Sequence, residues 1–180
     1  MSPGAGMEST EALVKSAVAG DTVSYGELVR RFERSVVTTG WSILGDFHLA
    51  QDVAQEVFTI AHGQLVTLRD GSSFGSWVLK IARNRALRRR KQEATHRSAV
   101  PFMDGFGAVR DAALDEYREE LIRAVGQLPE QERIVVVLRY FDGQPVDSIA
   151  QLTGRPIGTV TKQLSRAVER LRYLTRKVRS

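Results

Sequence analysis

Apolar residues recur at helical spacing along most of the chain, and this periodicity constrains the fold more than any other feature. One stripe comprises Tyr25, Leu28, Val29, Phe32 and Val36, and the next comprises Leu49, Val53, Val57 and Ile60. Residues three or four positions apart share one face of an α-helix, so each stripe predicts a helix with one buried side. Asp46 precedes the second stripe as a candidate N-cap. Because no segment shows sustained alternation with a period of two, the sequence predicts an all-α protein.

Residues 73–92, SFGSWVLKIARNRALRRRKQ, combine an apolar stripe with a run of cations. The first half of this stretch carries Phe74, Trp77, Val78, Ile81 and Ala82 at helical spacing. The second half carries Arg83, Arg85, Arg88, Arg89, Arg90 and Lys91. The glycine- and serine-rich sequence RDGSSFG predicts a loop before the helix. We therefore predict a helix that begins in the core of a bundle and ends as a basic rod near Gln92.

Composition excludes several classes of protein. The chain has 180 residues, of which 42% are apolar, so it can form one ordinary domain or two small ones. It contains no cysteine, which excludes disulfides, a thiol nucleophile and a cysteine zinc site. No apolar run approaches the roughly 18 to 20 residues that span a bilayer. The first residues also lack the basic and apolar regions of a signal peptide. We therefore expect a cytoplasmic protein without membrane insertion.

Charge alternates along the chain in blocks that the net charge of +5 conceals. Residues 1–70 carry a net charge of −4, residues 71–97 carry +7, residues 98–132 carry −5 and residues 133–180 carry +7. One basic block alone is equally compatible with a solvated face. Two such blocks on apolar-striped helices favour two surfaces for a polyanion, which leaves the acidic surfaces for another partner.

The middle of the chain loses the helical pattern. Residues 96–112 contain Pro101, Gly105 and Gly107 and no continuous stripe, so they predict a linker. Apolar residues within it, namely Phe102, Met103 and Phe106, are compatible with packing against a domain or with insertion into a partner.

The pattern resumes after the linker with Leu114, Tyr117, Leu121, Val125 and Leu128. Pro129 suits the first turn of a further helix, with Glu130 and Glu132 near its positive end. By composition alone, the run IVVVL at 134–138 is compatible with a buried strand. We favour a helix, because Ile134 and Leu138 would share one face with Phe141 and no partner strand is evident.

Residues 147–172 have the form of a helix-turn-helix. The small Ala150 allows two helices to cross closely, Gly154 suits the turn, and Pro156 suits the start of the second helix. The predicted buried stripe of that helix is Ile157, Val160, Leu164, Ala167 or Val168, Leu171 and Leu174. Its other face carries Thr159, Lys162, Gln163, Arg166 and Arg170. The motif alone is compatible with a structural helical hairpin, but the basic face favours duplex DNA, whose major groove admits one α-helix.

Together these motifs resemble RNA polymerase sigma factors of the extracytoplasmic-function (ECF) group of the sigma-70 family. LAQDVAQEVF (49–58) resembles the helix with which the family docks on the polymerase, and SFGSWVLKIARNRAL (73–87) resembles its −10 recognition segment. LPEQERIVVVLRYFDGQ (128–144) and SIAQLTGRPIGTVTKQLSRAVERLR (148–172) resemble its −35-binding domain. The resemblance covers roughly residues 12–93 and 114–175. It implies region 2 over residues 1–95, a linker over 96–112 and region 4 over 113–180.

The resemblance also implies roles for individual residues. Ser72, Ser73 and Asn84 would form the pocket and rim for an extruded −10 base, and Lys80, Arg83, Arg85 and Arg88 would contact the DNA backbone. Trp77 is compatible with a core position or with a stacking wedge. Arg155, Thr159, Thr161, Lys162, Gln163, Arg166 and Arg170 would contact the −35 element. Asp52, Gln55 and Glu56, opposite the apolar stripe, would meet the polymerase. Without the rest of the pattern, a solvated acidic face would be an equally compatible interpretation.

The implied partners are core RNA polymerase, at its β′ clamp and β flap, promoter DNA and an anti-sigma factor. No cofactor and no catalytic activity of the chain are implied. The sequence departs from the family where a Lys-Ser-Arg-type run is common, since it has Thr161, Lys162 and Gln163 there. Glutamine favours adenine edges and arginine favours guanine edges, so a distinct −35 preference is expected. Pro145 and Val146 also replace a polar or aromatic pair, which should alter only the start of that helix.

A metal-dependent enzyme and a stand-alone regulator are the two alternative functions. His48, Asp52 and Glu56 are spaced for a metal site on one helix, with His62 as a further candidate ligand, but no second helix offers a matching carboxylate–histidine pair. A glycine-rich phosphate loop and a GxSxG motif are both absent. A stand-alone helix-turn-helix regulator would explain the C-terminal half. It would not explain an acidic docking helix beside a basic strand-binding helix in the N-terminal half.

Overall fold

The computed structural model describes residues 8–94 and 120–178, and within these ranges the chain is helical and has no β-strand. Its first half consists of α1 (Thr10–Val18), α2 (Thr22–Leu44), α3 (Phe47–Gln64) and α4 (Phe74–Ala94). Short 3₁₀ turns, Leu65–Thr67 and Gly71–Ser73, join α3 to α4. The prediction of an all-α fold is confirmed.

The second half contains a further set of helices. These are α5 over residues 120–126, α6 (Glu130–Val136), α7 (Val146–Thr153) and α8 (Ile157–Val178). A π-helical turn, Val137–Phe141, extends α6. The predicted linker and the first residues of the next stripe, Leu114 and Tyr117, lie outside the described residues. None of the helices in the described ranges is long and apolar enough to cross a membrane.

Side-chain caps fix the starts of several helices. The Asp46 carboxylate accepts a hydrogen bond from the Leu49 backbone N–H at 3.0 Å, which confirms the predicted N-cap of α3. Asp21 caps α2 in the same way, and Ser9 caps α1. The apolar periodicity did not predict α1, because its nine residues bury only Leu13 and Val14.

The predicted stripes of the first half face a common core. Leu28 and Val36 of α2, Val57 of α3, and Phe74 and Val78 of α4 are all at most 1% exposed. Since the buried positions follow the helical period, the sequence pattern alone sets which face of each helix turns inward. The opposite face of α3 and the exposed residues Lys80, Asn84 and Arg88 of α4 remain available for partners.

The apolar run IVVVL forms a helix, as predicted, and it is buried on every side. Ile134, Val135 and Leu138 belong to the same core as α1–α4. Val136 and Val137 face a second core, which also contains Trp41 of α2. A helix without a polar face must be covered all round, and here the two halves of the molecule provide that cover together.

The helix-turn-helix is formed by α7 and α8. Gly154 ends α7 in the left-handed region, with φ of 65°, where a residue without Cβ is favoured. Pro156 directly precedes α8, in agreement with the prediction. The predicted burial of one stripe residue is wrong, since Ile157 is 56% exposed. The packing of α8 begins one turn later at Val160, which is fully buried, so nothing covers the first residue of the helix.

Candidate nucleic-acid interface

The serines expected to line a base pocket are held by Asp70. The hydroxyl of Ser72 donates to Oδ1 of Asp70 at 2.6 Å, and that of Ser73 donates to Oδ2 at 2.7 Å. These two hydrogen bonds, together with one from the Ser72 backbone N–H, lower the pKa of the Asp70 carboxyl. Because each hydroxyl proton points to Asp70, the serine oxygens present lone pairs to an incoming group. Sequence reasoning missed Asp70, although Asp followed by Ser at two and three positions is typical of an Asx turn.

The cations of α4 are not equally accessible. Lys80, Asn84 and Arg88 are exposed, and Asn84 and Arg88 line a shallow cavity of about 260 Å³. Arg83 instead forms an ion pair across the molecule with Glu130 of α6, at 2.7 Å from Nη2 to Oε1. Among the expected phosphate contacts of α4, Lys80 and Arg88 are therefore open, whereas Arg83 has a partner within the chain.

Arg85 lies at a different surface from the one that the sequence predicted. Its Nη2 and Nε atoms lie 2.5 Å and 2.6 Å from Oε2 of Glu56 on α3. Asp52, Gln55, Glu56 and Arg85 line one surface depression of about 590 Å³. The structure thus brings an expected DNA contact together with all of the expected polymerase contacts.

Trp77 is partly buried and partly exposed, which is compatible with both of its expected positions. Its ring centroid lies 5.8 Å from that of Phe74, and it packs against the core of the first half while remaining partly exposed. The same side chain lines a cavity of about 440 Å³ between α4 and the second half. An aromatic ring with one accessible side can be part of the core and still meet a base.

The outer face of α8 is open. Thr159, Thr161, Lys162 and Arg166 are all exposed, as a helix that enters a groove requires. Among the described residues, Lys162 and Arg166 form no ion pair. Arg170 is also on this face, but its Nε lies 3.0 Å from a carboxylate oxygen of Glu132.

The side chains of Gln163 and Arg155 are engaged in hydrogen bonds within the chain. Nη1 of Arg155 donates to Oε1 of Gln163 at 3.1 Å and to the carbonyl of Gln131 at 3.3 Å. Burial lowers the pKa of the Arg155 guanidinium, the nearby positive charge of Arg83 lowers it further, and Glu130 opposes both effects. Arg83 and Arg155, expected at different promoter elements, are therefore neighbours around one carboxylate.

The structure gives no support to a metal centre in the described parts of the chain. Within residues 8–94 and 120–178, no group of three or more His, Cys, Asp or Glu side chains is arranged to hold a metal ion. His48, Asp52 and Glu56 lie on α3 without a second set of ligands.

Comparison with known protein families gives a separate match for each half of the chain. Residues 28–95 match the family described as Sigma-70 region 2, and residues 118–171 match Sigma-70, region 4. The chain is 31% identical over 176 residues to RNA polymerase sigma-H factor of Pseudomonas aeruginosa, covering 90% of this chain and 91% of that protein. It is 27% identical to the ECF RNA polymerase sigma factor SigW of Bacillus subtilis over 88% of this chain and 92% of that protein.

Solved structures show a similar fold. CnrH in complex with the cytosolic domain of CnrY has a TM-score of 0.69 at 22% identity, covering 94% of this chain and 99% of that chain. The sigma factor RpoE of Bartonella quintana, in complex with the anti-sigma factor NepR, has a TM-score of 0.60 at 20% identity, covering 84% and 96%.

Proposed function

Because this chain belongs to the sigma-70 family of RNA polymerase sigma factors, as an alternative sigma factor of the ECF group, we propose that it directs core RNA polymerase to promoters through two separate DNA contacts. Residues 1–95 would form region 2, residues 96–112 the linker and residues 113–180 region 4. The observation that carries this function is the combination, in one chain, of an open helix-turn-helix, a basic helix ending in exposed cations and an acidic helix beside it.

The exposed face of α8 is the proposed reader of the −35 duplex. Lys162 and Arg166 lie four residues apart and point away from the core, where they can reach base edges or phosphates in a major groove. Thr159 and Thr161 extend the same surface. Gln163, Arg155 and Arg170 join this contact after exchanging their present hydrogen-bond partners for DNA.

The 3₁₀ turn Gly71–Ser73 and the following α4 are the proposed contact with the −10 strand. Ser72, Ser73 and Asn84 would surround an extruded base, and Trp77 would supply an aromatic surface for stacking. Lys80, Arg83 and Arg88 would neutralise phosphates, so this contact should weaken as salt concentration rises. Arg85 joins them only if it leaves Glu56.

The depression around Asp52, Gln55 and Glu56 is the proposed contact with the β′ clamp, and region 4 would meet the β flap. RNA synthesis would remain with the polymerase, and the chain would act in the cytoplasm without a cofactor. We also propose an anti-sigma factor as a regulator. This partner is motivated by the complex of the similar sigma factor RpoE with NepR.

Transcription in vitro tests the proposal. Core polymerase free of other sigma factors would transcribe genomic fragments with and without the protein. Start sites that depend on the protein, with common sequences upstream, are the expected result. Protein that binds duplex DNA alone and neither binds core polymerase nor starts transcription would instead be a stand-alone regulator.

A further inference from the structure

The cavity of about 440 Å³ between α4 and the second half has a mainly apolar lining. Trp77 contributes to this lining from α4, Ile134 from α6 and Leu152 from α7. The volume lies within the roughly 300 to 1,000 Å³ of small-molecule sites, which are usually apolar with a few polar groups. The cavity therefore has the size and the lining of a ligand site.

One buried hydroxyl in this lining is not satisfied by the chain. Thr39 of α2 is 3% exposed and lines the cavity, and its Oγ1 atom has no hydrogen-bond partner among the described residues. An unsatisfied buried hydroxyl costs about 1 to 3 kcal/mol, and such groups are rare in folded proteins. A ligand with a hydrogen-bond acceptor in this cavity would remove that cost.

Three cations also line the cavity, namely Lys80, Arg83 and Arg155. Among the described residues, Arg83 pairs with the Glu130 carboxylate at 2.7 Å, whereas Lys80 and Arg155 form no ion pair. Arg155 donates instead to the uncharged backbone carbonyl of Gln131 at 3.3 Å. Three positive charges around one carboxylate give the cavity an excess of positive charge, which is complementary to an anion.

The electrostatic surroundings of Arg155 agree with this complementarity. Burial lowers the pKa of its guanidinium, and the nearby positive charge of Arg83 lowers it further. An anion beside the two guanidinium groups would oppose this repulsion. Lys80 is exposed, so the cavity can be reached from solvent on the side of α4 that carries this residue.

We propose that this cavity binds a small anionic amphiphile, namely a carboxylate with an apolar tail. The carboxylate would pair with Lys80 and Arg155 and accept a hydrogen bond from Thr39, and the tail would pack against Trp77 and Leu152. An uncharged apolar molecule would leave the cations unmatched, and a carboxylate without a tail would leave the apolar lining in contact with water. The inference goes beyond the proposed function, since it assigns a ligand to the free chain.

Tryptophan fluorescence of the full chain tests this site directly. The chain has two tryptophans, of which Trp77 lines the cavity and Trp41 does not. A decanoate with a bromine atom on its tail quenches a tryptophan that it touches, and it would be titrated below the concentration at which it forms micelles. We expect saturable quenching in the wild type and none in Trp77→Phe, which should still bind decanoate in a calorimetric titration.

The need for charge is tested with the ligand and with the protein. Decanol should bind about tenfold more weakly than decanoate, because it cannot form a charge-assisted hydrogen bond with the cations. Arg155→Gln should weaken decanoate binding by about the same factor, for the same reason. Arg139→Gln is the matched control and should bind normally, since Arg139 also donates to a backbone carbonyl of the second half but does not line the cavity.

The buried hydroxyl is tested by a change that keeps its shape. Thr39→Val should weaken decanoate binding about threefold, because the ligand loses one hydrogen-bond donor. Thr38→Val is the matched control, since Thr38 is the preceding buried residue of α2 and does not line the cavity. Decanoate should bind this control as tightly as the wild type.

A wild type without saturable quenching would overturn the proposal, as would equal affinities for decanoate and decanol. Equal losses in Arg155→Gln and Arg139→Gln would attribute binding to net charge, and would also overturn it. Tighter binding of uridine monophosphate than of decanoate would contradict the proposed class of ligand. Circular dichroism identifies a variant that fails to fold; if Arg155→Gln is one, the comparison of Thr39→Val with Thr38→Val decides. Because these measurements use the chain without DNA or polymerase, their failure is distinct from a failure to start transcription.

Discussion

The basic faces of α4 and α8 differ in how much of their charge is already met by acidic side chains of the same chain. On α4, Arg83 pairs with Glu130, Arg85 pairs with Glu56 and Arg89 pairs with Glu93. On α8, Arg170 pairs with Glu132, while Lys162 and Arg166 are exposed and form no ion pair among the described residues. If both faces bind DNA as proposed, these three arginines of α4 must exchange a carboxylate partner, whereas Lys162 and Arg166 of α8 need not.

This difference agrees with the kind of DNA that each face is proposed to bind. A duplex presents its major groove without prior change, so a preformed helix face suffices. An extruded base is available only after the duplex opens, and opening requires energy of a few kcal/mol. The exposed cations of α8 are therefore compatible with a duplex that is present before the −10 region opens.

The largest expected effect concerns the buried contact between the two halves of the molecule, in which Trp41 of α2 packs with Val125 and Phe141. Trp41→Ala should lower the free energy of unfolding by about 3 to 5 kcal/mol, because it removes a fully buried aromatic side chain between the halves. Trp77→Ala, its natural control, should lower it less, since Trp77 is partly exposed. Urea denaturation followed by circular dichroism measures both. Equal losses would mean that the contact between the two halves contributes little to stability.

The next prediction tests the open face of α8. Arg166→Ala should weaken binding of a −35 duplex in the polymerase complex by about 1 to 3 kcal/mol, the usual range for one base-contacting side chain. Binding to core polymerase should not change. Arg172→Ala is the control, because Arg172 is exposed on the same helix but lies on a different face.

Parallel losses of −35 binding and polymerase binding in Arg166→Ala would assign this residue to the fold. A similar loss in Arg172→Ala would show that the effect follows net charge and does not depend on position. Either result would remove the contrast between the exposed cations of α8 and the ion-paired arginines of α4.

The helices and the helix-turn-helix could be predicted from sequence because their signals are local. The stripe from Leu28 to Val36 repeats with the helical period, and Gly154 falls where the turn requires a left-handed residue. The exposed cations Lys162 and Arg166 follow from the same period, since they lie opposite the buried Val160 and Ala167.

The contact between the two halves could not be predicted in the same way, because it connects residues far apart in the chain. Asp142 lies in the sequence FDGQP, which has the composition of an exposed turn, yet its side chain is buried against Ser35. One local signal was present: IVVVL has no polar face, and a helix of that kind must be covered on all sides. The run indicated that this helix is buried, but it did not identify α2 as one of the helices that pack against it.

A smaller effect is expected at the boundary between the DNA and polymerase surfaces. Arg85→Ala should weaken binding to core polymerase by about 1 kcal/mol or less, the range for a partly exposed ion pair, because Glu56 loses the group that orients it. Arg88→Ala should leave polymerase binding unchanged and reduce the salt dependence of DNA binding. If Arg85→Ala behaves like Arg88→Ala, Arg85 exchanges Glu56 for DNA and belongs to the −10 contact.

The smallest expected effect is at Asp70, and its readout is selectivity. In Asp70→Asn the amide can donate as well as accept, so the hydroxyls of Ser72 and Ser73 are no longer fixed as hydrogen-bond acceptors. Promoters that differ only at the extruded −10 base should then be distinguished less well in an opening assay. Asp21→Asn is matched, because Asp21 caps a different helix, α2, and accepts a serine hydroxyl in the same way.

The pH dependence of the Asp70 arrangement has a defined sign. Hydrogen bonds lower the pKa of Asp70, so the ordered serines should be fully present at neutral pH and should be lost only as pH falls through that lowered value. Selectivity in the wild type should therefore be constant across the neutral range. Loss of selectivity in Asp21→Asn as well as in Asp70→Asn would trace the effect to helix capping in general. Loss in Asp70→Asn alone would make the turn before α4, Gly71–Ser73 with its cap Asp70, the part of the molecule that distinguishes one extruded base from another.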